Sequence, residues 1–256
     1  MKAILIFSLQ LTIALTLSAQ DTLPARVYHL ADMATVKDSS RYRLQIMDGA
    51  TSIMPNLEAH LTILEPGKAA HPPHTHASQE ELIIVKEGML KVTIAGKSKV
   101  LTAGGIAYSF PGDEHGAVNV GKTKTAYYVI KYSNRTGVDK DRVAKAGESI
   151  LMNWNDPKVD KTDRGERRSF FNQPTPLFGK FDMHATTLNQ GQVSHLPHTH
   201  RSEEILIIRT GKVRMHIGDN FYPASPGDLV FLPTGVPHAL ENTGSGSTSY
   251  FAFQWE

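Results

Sequence analysis

The chain has 256 residues, 40% of them apolar and 20% charged, with a formal net charge of +2 and no cysteine. A near-neutral balance without a dense Lys/Arg patch excludes the electrostatic footprint of a nucleic-acid partner. The lack of cysteine excludes disulfides, thiolate metal ligands and a Cys nucleophile, so the fold must rest on its apolar core and on any metal it binds.

In chain order, Met1-Lys2 is followed by AILIFSLQLTIALTL and then SAQD. One positive residue, an apolar run of about 15 residues and a small-residue exit have the form of a secretory signal peptide. The run is short against the ~20 residues that span a bilayer. The expectation is that residues 1–20 are removed by cleavage near Ala19–Gln20, giving a secreted or periplasmic protein with no integral membrane span and, without Lys2, a net charge of +1. Residues 21–40 read as an N-terminal arm.

Residues 41–133 read as strands. LKVTIAGKSKVLTAGG predicts a hairpin turning at Ala95-Gly96-Lys97, and ELIIVKEG, GIAYSFPG and TAYYVIKYS are short β-rich runs bounded by Gly and Pro. Residues 134–165 are polar and charged apart from a short apolar patch at Ile150–Trp154, and predict a long connection with one helical turn. Residues 166–256 return to strands. VRMHIGDNFYPASPGD predicts a second hairpin turning at Gly218-Asp219-Asn220, and DLVFLPTG and STSYFAFQW complete the pattern. Strand spacing of about ten residues, with no long helical period, argues an all-β barrel or sandwich for each unit.

The two units are copies. HPPHTHASQEELIIVKEG at 71–88 matches HLPHTHRSEEILIIRTG at 195–211. Ten of the twelve histidines fall into five repeat-related pairs: His60 with His184, His71 with His195, His74 with His198, His76 with His200 and His115 with His238. Glu81 matches Glu204 by distance to the following glycine, and Asn119 and Asn242 each lie four residues beyond the last His.

On a strand, residues i and i+2 share a face, so His-Thr-His places two imidazoles side by side. A Glu four or five residues on and a distant His would add two donors. Three neutral imidazoles and one carboxylate form a first-row transition-metal site, and four protein donors leave two of six positions open. Glu80-Glu81 and Glu203-Glu204 are doublets of which only one member can face the metal. Distance to the glycine selects Glu81 and Glu204, leaving Glu80 and Glu203 as surface residues or as groups behind the ligands.

These residues resemble the cupin superfamily, duplicated as a bicupin. Its first motif, G-x5-H-x-H-x3,4-E-x6-G, is matched from the His onward by HTHASQEELIIVKEG and HTHRSEEILIIRTG, with a Gly-to-His gap one residue longer in both copies. GDLVFLPTGVPHALEN fits the second motif, while GIAYSFPGDEHGAVN is one residue short between Pro111 and His115. The resemblance implies an all-β fold of two tandem cupin barrels of the double-stranded β-helix, or jelly-roll, kind. It implies one divalent transition metal per barrel (Mn, Fe, Cu, Ni or Zn), held by His74, His76, Glu81 and His115 and by His198, His200, Glu204 and His238.

His60 and His184 lie on strands expected beside the metal and are candidates for a proton shuttle or a group supporting the ligands. His71 and His195 read as rim residues at the barrel mouth. Tyr108, Phe110 and Phe231 read as barrel lining. The expected function is a metal-dependent enzyme acting on a small, metal-chelating, oxygen-rich substrate, with dioxygenase-type oxidoreduction first. A redox-neutral isomerase, hydrolase or decarboxylase and a non-catalytic sugar or metal binder are the alternatives. A homo-oligomer is compatible with the sequence, and nothing in it argues for one.

Overall fold

Alternation and glycine-bounded runs become strands in the computed structural model, which describes residues 22–38 and 41–256; the apolar leader at 1–20 lies outside the described residues. The N-terminal arm contains β1 (Arg26–Tyr28) and β2 (Thr35–Lys37). The first barrel follows with β3 (Arg41–Gly49), β4 (Asn56–Leu64), β5 (Glu80–Glu87), β6 (Leu90–Ile94), β7 (Lys97–Leu101), β8 (Ile106–Ser109), β9 (His115–Asn119) and β10 (Thr125–Ser133). The connection holds helix α1 (Lys140–Ala146), whose N-cap Asp139 accepts from the Asp141 and Arg142 amides, then β11 (Ile150–Met152) and β12 (Val159–Thr162). The second barrel is β13 (Gly165–Gln173), β14 (Phe181–Leu188), β15 (Glu203–Thr210), β16 (Val213–Ile217), β17 (Asn220–Ala224), β18 (Leu229–Leu232), β19 (His238–Asn242) and β20 (Thr248–Trp255).

Strand pairing is antiparallel throughout these elements. One seven-stranded sheet runs β11-β8-β5-β10-β4-β3-β2 and is completed by the three-stranded sheet β7-β6-β9. The other runs β1-β18-β15-β20-β14-β13-β12 and is completed by β17-β16-β19. The fold is therefore all-β with two barrels in tandem. Among the described residues no helix is long and apolar enough to cross a membrane.

The arm and the connection are part of the repeat. A shift of 124 residues carries the first residues of β1, β2 and β3 onto those of β11, β12 and β13. Each copy sends its leading strand to the other barrel: β1 pairs with β18 (Val27 opposite Val230), and β11 pairs with β8 (Leu151 opposite Ala107). The two barrels are thus stitched together by exchanged edge strands, which also cover edges that would otherwise stand unpaired.

β5 and β15 are buried on both faces, and the period of two decides which residue serves which core. Ile83 and Val85 fill the first barrel with Leu90, Val92, Tyr127 and Val129. Leu82 and Ile84 face the other way, into a cluster shared by both barrels that includes Tyr132, Phe181, Phe253 and Trp255. Leu206 and Ile208 fill the second barrel, while Ile205 and Ile207 join the shared cluster. Tyr108, Phe110 and Phe231 also belong to this shared cluster. They are not barrel lining, as alternation along β8 and β18 alone would not reveal, because both faces of those strands are buried.

Candidate metal centre

The same alternation resolves the two Glu doublets. Glu81 lies in register with the inward residues of β5, and Glu204 with those of β15; both face the barrel interiors and are nearly fully buried. Glu80 and Glu203 point into the contact between barrels and are completely buried, so the surface alternative is corrected. Glu80 accepts from Leu177 N at 2.8 Å, from Thr175 Oγ1 at 3.0 Å and from the Tyr108 hydroxyl. Glu203 accepts from Ser52 Oγ of the first barrel at 2.6 Å.

His74-Thr75-His76 does not lie on a regular strand, contrary to the simplest reading of HxH. It is an extended loop entering β5, held to β9 by an isolated antiparallel bridge. His74 N donates to His115 O at 3.0 Å and His115 N donates to His74 O at 2.9 Å, which fixes two candidate ligands against one another. His198 and His238 form the same bridge at 3.3 and 3.1 Å. The glycine that closes the first motif has a packing reason: a Cβ on Gly88 would approach Thr125 Oγ1 to 2.3 Å, and Gly211 is crowded in the same way by Thr248. Asn119 and Asn242 tie loops: Asn119 Nδ2 donates to Leu64 O and Thr123 O, and Asn242 Nδ2 to Leu188 O and Gly246 O.

In the first barrel His74, His76, Glu81 and His115 each offer a donor atom, and all four lie within 4.8 Å of one another. Opposed ligands at ~2.1 Å from one ion would stand about 4.2 Å apart, so the set fits a single metal. His74 Nε2 is 3.1 Å from His76 Nε2, and His76 Nε2 is 3.4 Å from Glu81 Oε2. His115 Nε2 lies 3.6 Å from Glu81 Oε1 and is buried without a hydrogen-bond partner, while its Nδ1 faces Asp113 O at 3.0 Å. An Nδ1–H donated to a carbonyl leaves Nε2 as the free donor for a cation.

Charge supports the same use. Burial, with neighbouring His71 and His115, pulls the His74 imidazole down to about 4, so it is neutral at pH 7. Burial alone would raise the Glu81 carboxyl, but the His115 and His76 imidazoles outweigh it and hold Glu81 well below the usual carboxylate range. A neutral imidazole beside an ionised, buried carboxylate is the donor set a divalent ion requires.

The second barrel assembles differently. His200, Glu204 and His238 form one trio, with Glu204 Oε2 at 3.2 Å from His200 Nε2 and 3.1 Å from His238 Nε2. Burial is again outweighed by the two imidazoles, which lower Glu204 to about 2. His198 stands apart from that trio: its Nδ1 is 3.0 Å from Nδ1 of His195, and His195, His198 and His238 form a second trio. The four predicted residues of this half therefore do not converge on one point, and His195, expected at the rim, joins the cluster.

Each centre opens into a cavity, of about 480 Å³ in the first barrel and about 350 Å³ in the second. His60 and His184 line them from β4 and β14. His60 Nδ1 is 2.9 Å from Glu58 Oε1, and Glu58 is also paired to Arg43. His184 Nδ1 is 3.0 Å from Asp182 Oδ1, with Arg167 at 3.6 Å from the same carboxylate. This Arg–carboxylate–His set was missed as a unit in the sequence. Its signal was there: Glu58 and His60, like Asp182 and His184, are i and i+2 on a strand, and Arg43 and Arg167 are one repeat apart.

The cavities differ in charge. Lys131 stands across from Glu81 on one side and Glu58 on the other, and with Arg41 and Arg43 it lines the first cavity. In the second cavity Gln254 stands across from Glu204 in the place of Lys131, and Gly165 replaces Arg41 at the repeat-related position.

Known proteins share this architecture. The Lactobacillus farciminis oxalate decarboxylase superposes with a TM-score of 0.68 at 14% identity, over 91% of this chain and 87% of that one. AerE from Microcystis aeruginosa superposes with a TM-score of 0.68 at 15% identity, over 88% of this chain and 97% of that one. In sequence, a protein of Oryza sativa subsp. japonica named Probable (S)-ureidoglycine aminohydrolase is 23% identical over 212 residues, covering 80% of this chain and 65% of that one. The Arabidopsis thaliana (S)-ureidoglycine aminohydrolase is 22% identical over 179 residues, covering 68% of this chain and 57% of that one. The chain thus spans less than two thirds of the length of these curated relatives. The cupin domain model matches twice, at residues 60–131 and 185–253, and the chain belongs to the cupin family as a protein with two such domains.

Proposed function

We propose that the protein is a metal-dependent, redox-neutral enzyme, a hydrolase or lyase, acting in its first barrel on a small carboxylate-bearing substrate that chelates the metal. The observation that carries this is the makeup of the first cavity, which is lined by four clustered donors, three cationic side chains and His60, itself backed by Glu58. A divalent ion held by His74, His76, Glu81 and His115 would supply Lewis acidity to a chelating oxygen. Lys131, Arg41 and Arg43 would hold the substrate carboxylate, since charge-assisted hydrogen bonds in a partly closed cavity are the strong ones. Glu58 fixes Nδ1 of His60, leaving Nε2 to give or take a proton on the cavity side. Burial lowers the His60 pKa despite Glu58, which favours the neutral imidazole.

The named relatives include an aminohydrolase and a decarboxylase, names that denote overall reactions with no external oxidant. Dioxygenase-type chemistry would use the same donors but has no need of the cationic wall. The decisive measurement is turnover of ureido-, 2-amino- and dicarboxylic acids by metal-loaded protein, with and without O₂. Equal rates in both atmospheres are expected; strict dependence on O₂ would establish the dioxygenase instead, and metal-independent ligand binding without turnover would make the protein a binder. Lys131→Gln should raise KM by roughly 10- to 100-fold, since one charged hydrogen bond contributes roughly 1.5–3 kcal/mol. An unchanged KM would remove Lys131 from substrate binding. Export to the periplasm or medium is part of the same proposal, tested by whether the mature protein begins after Ala19.

A further inference from the structure

The second barrel contains more metal-binding side chains than one ion needs, arranged in depth. His198 is exposed and His195 half-buried, whereas His238 is 3% exposed, Glu204 is buried, and His200 is half-buried beside them. The outer trio His195–His198–His238 and the inner trio His200–Glu204–His238 share one residue, His238. One imidazole nitrogen cannot ligate two ions at once, so the two positions exclude each other and form successive stations. The outer station has three imidazoles and no carboxylate. The inner one adds the buried carboxylate of Glu204, an oxygen donor that the outer one lacks, and so the stronger attraction for a divalent cation.

We propose that His195 and His198 form an entry station for the metal ion in the second barrel, capturing it at the mouth and passing it to His200 and Glu204 with His238 as the shared ligand. The inference rests on the reading of these centres as metal sites. The first barrel lacks the station: its four donors form one set that does not include His71, although His71 Nδ1 and His195 Nδ1 each face the carbonyl of the next residue at 3.0 Å. The ion needed there meets its full ligand set directly. In the second barrel the ligand exchange at His238 moves the ion inward by replacing two neutral imidazoles with one imidazole and one carboxylate.

The test uses the full chain with the first centre silenced by His74→Ala and Glu81→Ala, and Co²⁺ as the probe. Its d–d absorption reports loading and coordination in time. With His195→Ala added, Co²⁺ should enter at least about tenfold more slowly, while the final spectrum stays that of the inner site. A second variant keeps the idea open to refutation by equilibrium measurement. With His200→Ala and Glu204→Gln, one equivalent of Co²⁺ should still bind, more weakly, and further addition of His195→Ala should abolish it. If His195→Ala alters neither the loading rate nor the binding left in that variant, the entry station is refuted while the metal centre stands. If the parent protein takes up no Co²⁺ in either barrel, the metal reading itself fails.

Discussion

His74→Ala will cost the protein its activity, by more than the roughly 100-fold that loss of a group behind a ligand typically costs a metal site, whereas His198→Ala will leave most of it. The two positions are repeat-related and chemically identical, so the difference must come from their surroundings. His74 is one of four donors that already lie within reach of a single ion, and its backbone is bonded at both ends of the bridge to His115. Truncating it leaves three donors and opens the wall beside His76. His198 is turned toward His195 and does not close the His200–Glu204–His238 trio. Its loss subtracts a peripheral donor. The first cavity also holds Lys131 and Arg41, which have no counterparts in the second, so the carboxylate substrate proposed above would be drawn to the barrel that His74 serves. The measurement is kcat/KM together with metal content per chain for each variant. Equal losses of activity would contradict both the asymmetry of the centres and the assignment of catalysis to the first barrel.

Much of this was legible in the sequence, for a physical reason. Metal-donor side chains written twice at fixed spacing are rare enough to be read without a structure, and distance to the motif glycine chose Glu81 and Glu204 over their neighbours. The glycine served as a ruler because Gly88 and Gly211 sit where a Cβ would strike Thr125 and Thr248, so their place relative to the strand is fixed. Three features were hidden. The loop conformation of His74-Thr75-His76 follows from its bridge to β9, a contact between residues 41 positions apart in the chain. The role of 21–40 as the start of a repeat is masked because β1 pads an edge of the distant barrel and shares little sequence with β11. The placement of Tyr108 and Phe231 between barrels escapes any one-strand pattern, since β8 and β18 are buried on both faces. Each failure concerns a contact between elements far apart in sequence, where local pattern carries no information.

Glu80 is where the contact between barrels meets the metal centre, and it yields the second prediction. Its side chain is clamped by the 175–177 turn of the second copy and by Tyr108, while the next residue, Glu81, points the opposite way toward the metal ligands. Burial raises the Glu80 carboxyl from 4.5 to about 7, with the Tyr108, Leu177 and Thr175 hydrogen bonds opposing that rise. A raised acid stabilises the fold in its protonated form, so the contribution is complete below pH 4.5. Between 4.5 and 7 the unfolded chain gives up the proton and the folded one keeps it, and stability falls with pH until the folded carboxyl also ionises. The shift corresponds to roughly 3 kcal/mol in all. Glu80→Gln keeps a carbonyl to accept from Leu177 N, turns an amide N–H toward the Thr175 and Tyr108 hydroxyls, which can accept, and does not titrate. Urea unfolding of chelator-treated protein from pH 4.5 to 8 should therefore show the variant gaining on the native protein by roughly that amount as pH rises. Glu80→Leu should be less stable than Glu80→Gln at every pH, because it leaves a buried amide and two hydroxyls without their acceptor, at about 1–3 kcal/mol for each such group. Parallel curves for the native protein and Glu80→Gln would mean that Glu80 is already ionised in the fold, held so by its three donors. The joint between the barrels would then be charged, and the strand carrying Glu81 would be anchored by an anion rather than by a neutral acid.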